Sequence, residues 1–149
     1  MTLNRREALA IAGGALAFAV TGARMAWATA EDTYKAIMAF TGGAEPATGR
    51  ITLNAPEIAE NGNTVPISVS VESPMSAEDH VASVTILAEG NPNPETVTFH
   101  FTAMSGEAMA STRIRLAKTQ NVIALAKMSD RSVFIDTKEV KVTIGGCGG

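Results

Sequence analysis

The chain has 149 residues, with 12 basic against 15 acidic side chains and a formal charge of −3. Its charges are scattered, so it lacks the basic footprint that nucleic-acid binding needs. One cysteine excludes an internal disulfide, and about 119 residues beyond an export leader suit a single domain with one core.

The amino terminus reads as that leader. Arg5-Arg6 precedes an apolar run from Ala8 to Val20, and Ala26-Trp27-Ala28 and Ala28-Thr29-Ala30 both fit a small-residue cleavage site. A charged region, an apolar region and a processing site follow in order. The run of 13 residues is short for a bilayer core of about 30 Å, so no membrane insertion is expected. The arginine pair resembles a Tat signal. Residues 1–30 are thus expected to be a cleaved Tat-type signal peptide, cut after Ala28 or Ala30, that sends the folded protein to the bacterial periplasm. Its removal takes three arginines and one glutamate and moves the formal charge to −5.

Glu31 to Phe40 favours a short helix, with Tyr34, Ile37, Met38 and Phe40 near helical spacing and Thr41-Gly42-Gly43 as its stop. An amino-terminal helical segment over residues 31–43 is expected, packed on the body or on a partner.

Beyond it the pattern changes to period two. Ile51 and Leu53; Val65, Ile67, Val69 and Val71; Val97, Phe99, Phe101 and Ala103; Ile114 and Leu116; and Val140, Val142 and Ile144 each alternate with polar residues. These read as strands with one dry and one wet face. Ala82 to Ala88 and Val122 to Ala126 are apolar on both faces, which suits strands in the middle of a packed sheet. Turn residues separate the strands at Asn61-Gly62-Asn63, Ser73-Pro74, Gly90-Asn91-Pro92-Asn93-Pro94, Ser105-Gly106 and Ser129-Asp130. Pro66 lacks a ladder donor, so its strand should be an edge there or carry a bulge. Residues 44–144 are therefore expected to form an all-β, immunoglobulin-like antiparallel β-sandwich.

The last five residues, Gly145-Gly146-Cys147-Gly148-Gly149, contain the single cysteine. Four glycines add nothing to packing and cost stability through their freedom. Such a tail makes sense if the thiol must be exposed and mobile, on a flexible arm over residues 145–149. With the arm rooted at Ile144, three residues of extended chain put the sulfur on the order of 10 Å from the body. A free thiol has a pKa near 8.5 and is already nucleophilic as the minor thiolate. No histidine, lysine or arginine lies within five residues to activate it. Cys147 thus reads as a carrier acted on by others rather than a catalyst.

No other cluster competes. His80 sits in a polar loop and His100 on a wet strand face, both read as surface residues. Cys147 is not followed by the histidine or methionine of a blue-copper site. Catalytic residues and metal ligands are expected to be none, and the chain is expected not to be an enzyme.

On these residues the chain resembles the SoxY family, the sulfur-carrying subunits of the bacterial Sox thiosulfate-oxidising system. The resemblance rests on the twin-arginine leader, on Ile51 to Val71 with Pro56-Glu57-Ile58-Ala59-Glu60-Asn61-Gly62 and Val65-Pro66, and on the terminal Gly-Gly-Cys-Gly-Gly. It implies a β-sandwich that forms a heterodimer with a similar SoxZ-like subunit. It also implies that Cys147 is the covalent attachment point for sulfur intermediates, with no other cofactor. A c-type cytochrome would conjugate thiosulfate to Cys147, a hydrolase would release sulfate, and a sulfane dehydrogenase would oxidise the remaining sulfur where the pathway includes it. Two further readings share the tail. One is a ubiquitin-like carrier that uses the Gly148-Gly149 carboxylate, a cytoplasmic chemistry at odds with the leader. The other is a structural subunit tethered through a Cys147 disulfide, which would also give a disulfide-linked dimer.

Overall fold

The structure, a computed structural model, describes residues 30–146. Residues 1–29, which hold all but the last residue of the expected leader, and Cys147, Gly148 and Gly149 lie outside the described residues. Helix α1 (Ala30–Thr41) is followed by β1 (Ala47–Thr48), β2 (Ile51–Asn54), β3 (Ile58–Asn61), β4 (Val65–Val71), β5 (Val81–Ala88) and β6 (Glu95–His100). A one-turn 3-10 helix (Ala103–Ser105), β7 (Ala108–Ile114), β8 (Gln120–Met128) and β9 (Val133–Ile144) complete the chain.

The strands form two sheets. One has the order β1-β9-β8-β5-β6, with β3 also paired to β9, and the other has the order β2-β4-β7. Ile51, Leu53, Val65, Ile67, Val69 and Val71 of the smaller sheet meet Val84, Ile86, Ala88, Val122, Ala124 and Ala126 of the larger across one core. This is the expected sandwich. Leu53 adds a polar link between the layers, its N–H donating to Asp136 Oδ2 at 2.8 Å.

The two strands that read as apolar on both faces, β5 and β8, lie side by side inside the larger sheet. One face of each fills the sandwich core. The other carries Leu87, Ile123 and Leu125, which pack with Val133 under Ala36, Ile37 and Phe40 of α1. The helix therefore belongs to the body, where its apolar stripe covers the outer sheet face. Lys127 Nζ stands 4.7 Å from the centre of the Phe40 ring and closes that contact.

Pro66 falls where the sequence requires. β2 pairs with β4 from Val71 only as far as Ser68, so β4 is an edge on that side at Pro66. Three details differ from the periodic reading. The strand through Phe99 stops at His100, because Thr102 caps the 3-10 turn, accepting from Met104 N–H at 3.3 Å while its own N–H donates to Ser105 Oγ at 3.1 Å. Leu116 lies beyond the end of β7 yet is fully buried. The short strands β1 and β3, too brief to show a period, pair parallel to β9 in an otherwise antiparallel fold.

Candidate functional site: the root of the carboxyl-terminal tail

β9 runs for 12 residues and delivers the chain to the tail. Its first part pairs antiparallel with β8, from Val133 opposite Lys127 to Val140 opposite Gln120. β8 begins there, so the backbone beyond Val140 needs other partners, since buried amides are not left unpaired. β3 takes one side, with Ile58, Ala59 and Asn61 in register with Lys141, Val142 and Ile144. The connection between β7 and β8 takes the other side. Val142 N–H donates to Thr119 Oγ1 at 2.9 Å.

Past Ile144 the contacts become wholly main-chain. Gly62 N–H donates to the Ile144 carbonyl at 2.7 Å, Leu116 N–H to the Gly62 carbonyl at 2.7 Å, and Gly146 N–H to the Leu116 carbonyl at 2.9 Å. Gly62 and Gly146 are both buried. Gly145 lies against the Ala117 carbonyl, where a β-carbon would come within 2.3 Å of the oxygen. The first two glycines expected in a free arm are thus seated on the body.

Ile144 differs from expectation as well. Val140 is fully buried and Val142 packs on the core, but Ile144 is 65 % exposed. The side-chain core ends at Val142, and hydrogen bonds hold the last two turns of the pleat.

A second layer fixes the Arg115–Gln120 connection. Asn91 is only 2 % exposed. Its Nδ2 donates to the Arg115 carbonyl at 2.8 Å, and its Oδ1 accepts from Ala117 N–H at 3.0 Å and from Gln120 Nε2 at 3.0 Å. Gln120 Nε2 also donates to the Lys118 carbonyl at 3.0 Å, and Gln120 Oε1 accepts from Gly90 N–H at 2.7 Å. Each polar atom of this pair is satisfied inside the fold, which makes the network rigid. In the sequence Gly62 and Asn91 stand out as turn residues, and nothing marks Thr119 or Gln120. Gly62 falls within the stretch that carries the family resemblance, whereas nothing in a single sequence marks Asn91 as buried.

The remaining candidates stay apart from this root. His80 is half-buried in its loop, its Nδ1 3.0 Å from the Ser76 carbonyl and its N–H donating to Ser129 Oγ at 3.2 Å. His100 is exposed at the end of β6. Among the described residues no group of three or more histidine, cysteine, aspartate or glutamate side chains is placed to hold a metal ion. A shallow groove of about 740 Å³ opens where β2 leaves the smaller sheet, between Asn54, Pro56, Pro66 and Arg113, and shares no residue with the tail root. Among the described residues no helix is long and apolar enough to cross a membrane.

The family model for the sulfur oxidation protein SoxY matches residues 37–147. Among solved structures, the sulfur carrier protein SoxY from Chlorobium limicola f thiosulfatophilum is 31% identical, with a TM-score of 0.62 over 78% of this chain and 100% of that one. Superoxide reductases share the fold alone. The neelaredoxin of Ignicoccus hospitalis is 23% identical, with a TM-score of 0.57 over 64% of this chain and 81% of that one. The enzyme of Nanoarchaeum equitans is 15% identical, with a TM-score of 0.54 over 64% and 99%. No curated protein gave a significant match. With a family match over most of its length and a β-sandwich like that of a solved member, the chain belongs to the SoxY family of sulfur oxidation proteins.

Proposed function

We propose that this protein is a periplasmic sulfur carrier of thiosulfate oxidation, holding its cargo covalently on Cys147 and presenting it to the enzymes of the pathway. The observation that carries the reading is the reach of the family match, which extends to residue 147 and so takes in the cysteine. The solved relative is named a sulfur carrier protein. The arrangement of the body supports the same role, because β9 and its clamps bring the chain to a fixed point one residue before the thiol.

In the chemistry proposed, the Cys147 thiolate and thiosulfate join through a new S–S bond. Two electrons leave to a c-type cytochrome and the thiol proton goes to solvent. Water then cleaves the terminal S–S bond, releasing sulfate and leaving a persulfide on Cys147. A sulfane dehydrogenase, where present, oxidises that remaining sulfur. An S–S link suits a carrier, since it exchanges readily with an incoming thiolate. The protein supplies the attachment atom and its placement, and its partners supply the catalysis. A SoxZ-like sandwich subunit is the proposed heterodimer partner, and the Tat leader is the proposed route of export.

Substitution of Cys147→Ser tests the reading. Folding and partner assembly are expected to persist while sulfur loading is abolished. Collapse of assembly would instead make the tail a structural tether, and persistence of loading would place the attachment elsewhere.

A further inference from the structure

Glycine can be required at a position for its backbone angles or for its lack of a side chain. Gly42, Gly43, Gly49 and Gly106 are of the first kind, each with a positive φ and no atom closer than 4.0 Å to a would-be β-carbon. Gly62, Gly145 and Gly146 are of the second kind. None of these has a left-handed φ, so φ alone would admit a side chain. Space forbids it. A β-carbon on Gly62 would stand 2.2 Å from the Leu116 oxygen, 2.7 Å from Gly146 N and 2.9 Å from Val142 Cγ1. One on Gly146 would stand 2.8 Å from the Gly62 oxygen, and one on Gly145 2.3 Å from the Ala117 oxygen. These atoms are backbone in all but one case, and backbone held by the Asn91 network has little room to yield.

We infer that Gly62 is a positioning residue for Cys147: it lets three segments of main chain close on one another and fixes Gly146, one residue before the cysteine, to the body. Gly145 and Gly146 serve this closure through their small size. The inference deepens the carrier reading and rests on it for its functional consequence.

That consequence concerns reach. With Gly146 fixed, the chain can carry Cys147 at most about 3.6 Å from the anchor, in place of the roughly 10 Å available from Ile144. An enzyme acting on Cys147 must therefore receive the rim of the body as well, where Asn63 lies beside Gly146 and Ala117 beside Gly145. Such seating holds the sulfur in a defined position at the docked enzyme, where small displacements are costly in rate.

Amide exchange on the full mature protein, read by nuclear magnetic resonance, tests the anchor without reference to sulfur. The Gly146 N–H is expected to exchange about 100-fold or more slowly than that of Gly148. Equal rates, within about threefold, overturn the inference. Gly62→Ala is expected to speed Gly146 exchange by about tenfold or more and to lower enzymatic sulfur loading by about tenfold. Alkylation of Cys147 by iodoacetamide, which needs no docking, should change by less than about twofold. Gly145→Ala, at the periphery, should act in the same direction and serves if Gly62→Ala does not fold. Retained protection and retained loading in both variants would reject the positioning role. If Cys147 carries no sulfur, loading is absent in the unaltered protein too, while exchange still reports on the anchor.

Discussion

Asn91 brackets Leu116. The amide side chain donates to the carbonyl on one side of it, at Arg115, and accepts the N–H on the other, at Ala117, at 2.8 and 3.0 Å. Leu116 itself faces both ways, with its side chain in the core and its main chain on Gly62 and Gly146. Core, polar network and tail root thus meet at one residue.

Replacing Asn91 by alanine leaves the Ala117 N–H and the Arg115 carbonyl without their side-chain partner at a partly buried position. Each such group costs about 1–3 kcal/mol, and the loss expected in urea unfolding is about 2–4 kcal/mol with an unchanged slope. A loss below about 1 kcal/mol would mean that the connection holds its shape without Asn91.

Leu116 and Ile144 separate the two ways of anchoring the tail. Leu116→Ala removes a fully buried side chain and should cost about 2–5 kcal/mol. Ile144→Ala touches a side chain that is 65 % exposed and should stay within about 0.5 kcal/mol. Comparable losses at the two positions would show that Ile144 packs on the body after all.

Phe40 reports on the helix. Its ring lies between Lys127 and the outer cluster of Leu87, Ile123 and Leu125, so Phe40→Ala should destabilise the isolated protein by about 1–3 kcal/mol. An unchanged midpoint would mean that α1 is seated only by a partner.

What the sequence revealed and what it withheld follow from the range of the interactions. Alternation at Val65–Val71 and the double apolar faces of β5 and β8 are local patterns imposed by burial, and they predicted the sandwich and its central strands. The turn at Asn61-Gly62-Asn63 was legible as a turn. That Gly62 touches Leu116 and Gly146 was not, because it depends on three distant segments meeting. Asn91 lies among prolines and glycine and reads as loop, yet the fold buries it by wrapping the 115–120 connection around it. Ile144 continues the alternation in sequence but passes the end of the core in space.

The loop between β8 and β9 gives a pH test. Asp130 accepts from Ser132 N–H at 2.8 Å and from Ser132 Oγ at 2.5 Å. The Ser132 hydroxyl, then its N–H, hold the Asp130 pKa below its ordinary 3.8. With the folded value depressed, this turn stabilises the protein above pH 3.8, and the contribution is lost as pH falls through the lower folded value. Carboxyl-carbon titration should find Asp130 below the ordinary range and Ser132→Ala should raise it. An unmoved titration in that variant would remove Ser132 as the cause.

Mass analysis of the peptide that follows Lys141 shows directly whether Cys147 holds sulfur. Protein isolated from cells oxidising thiosulfate should carry a sulfur adduct on Cys147 that a thiol reductant removes. Finding Cys147 only as an unmodified thiol or a symmetrical disulfide, or finding the modification on the Gly149 carboxylate, would contradict the carrier reading.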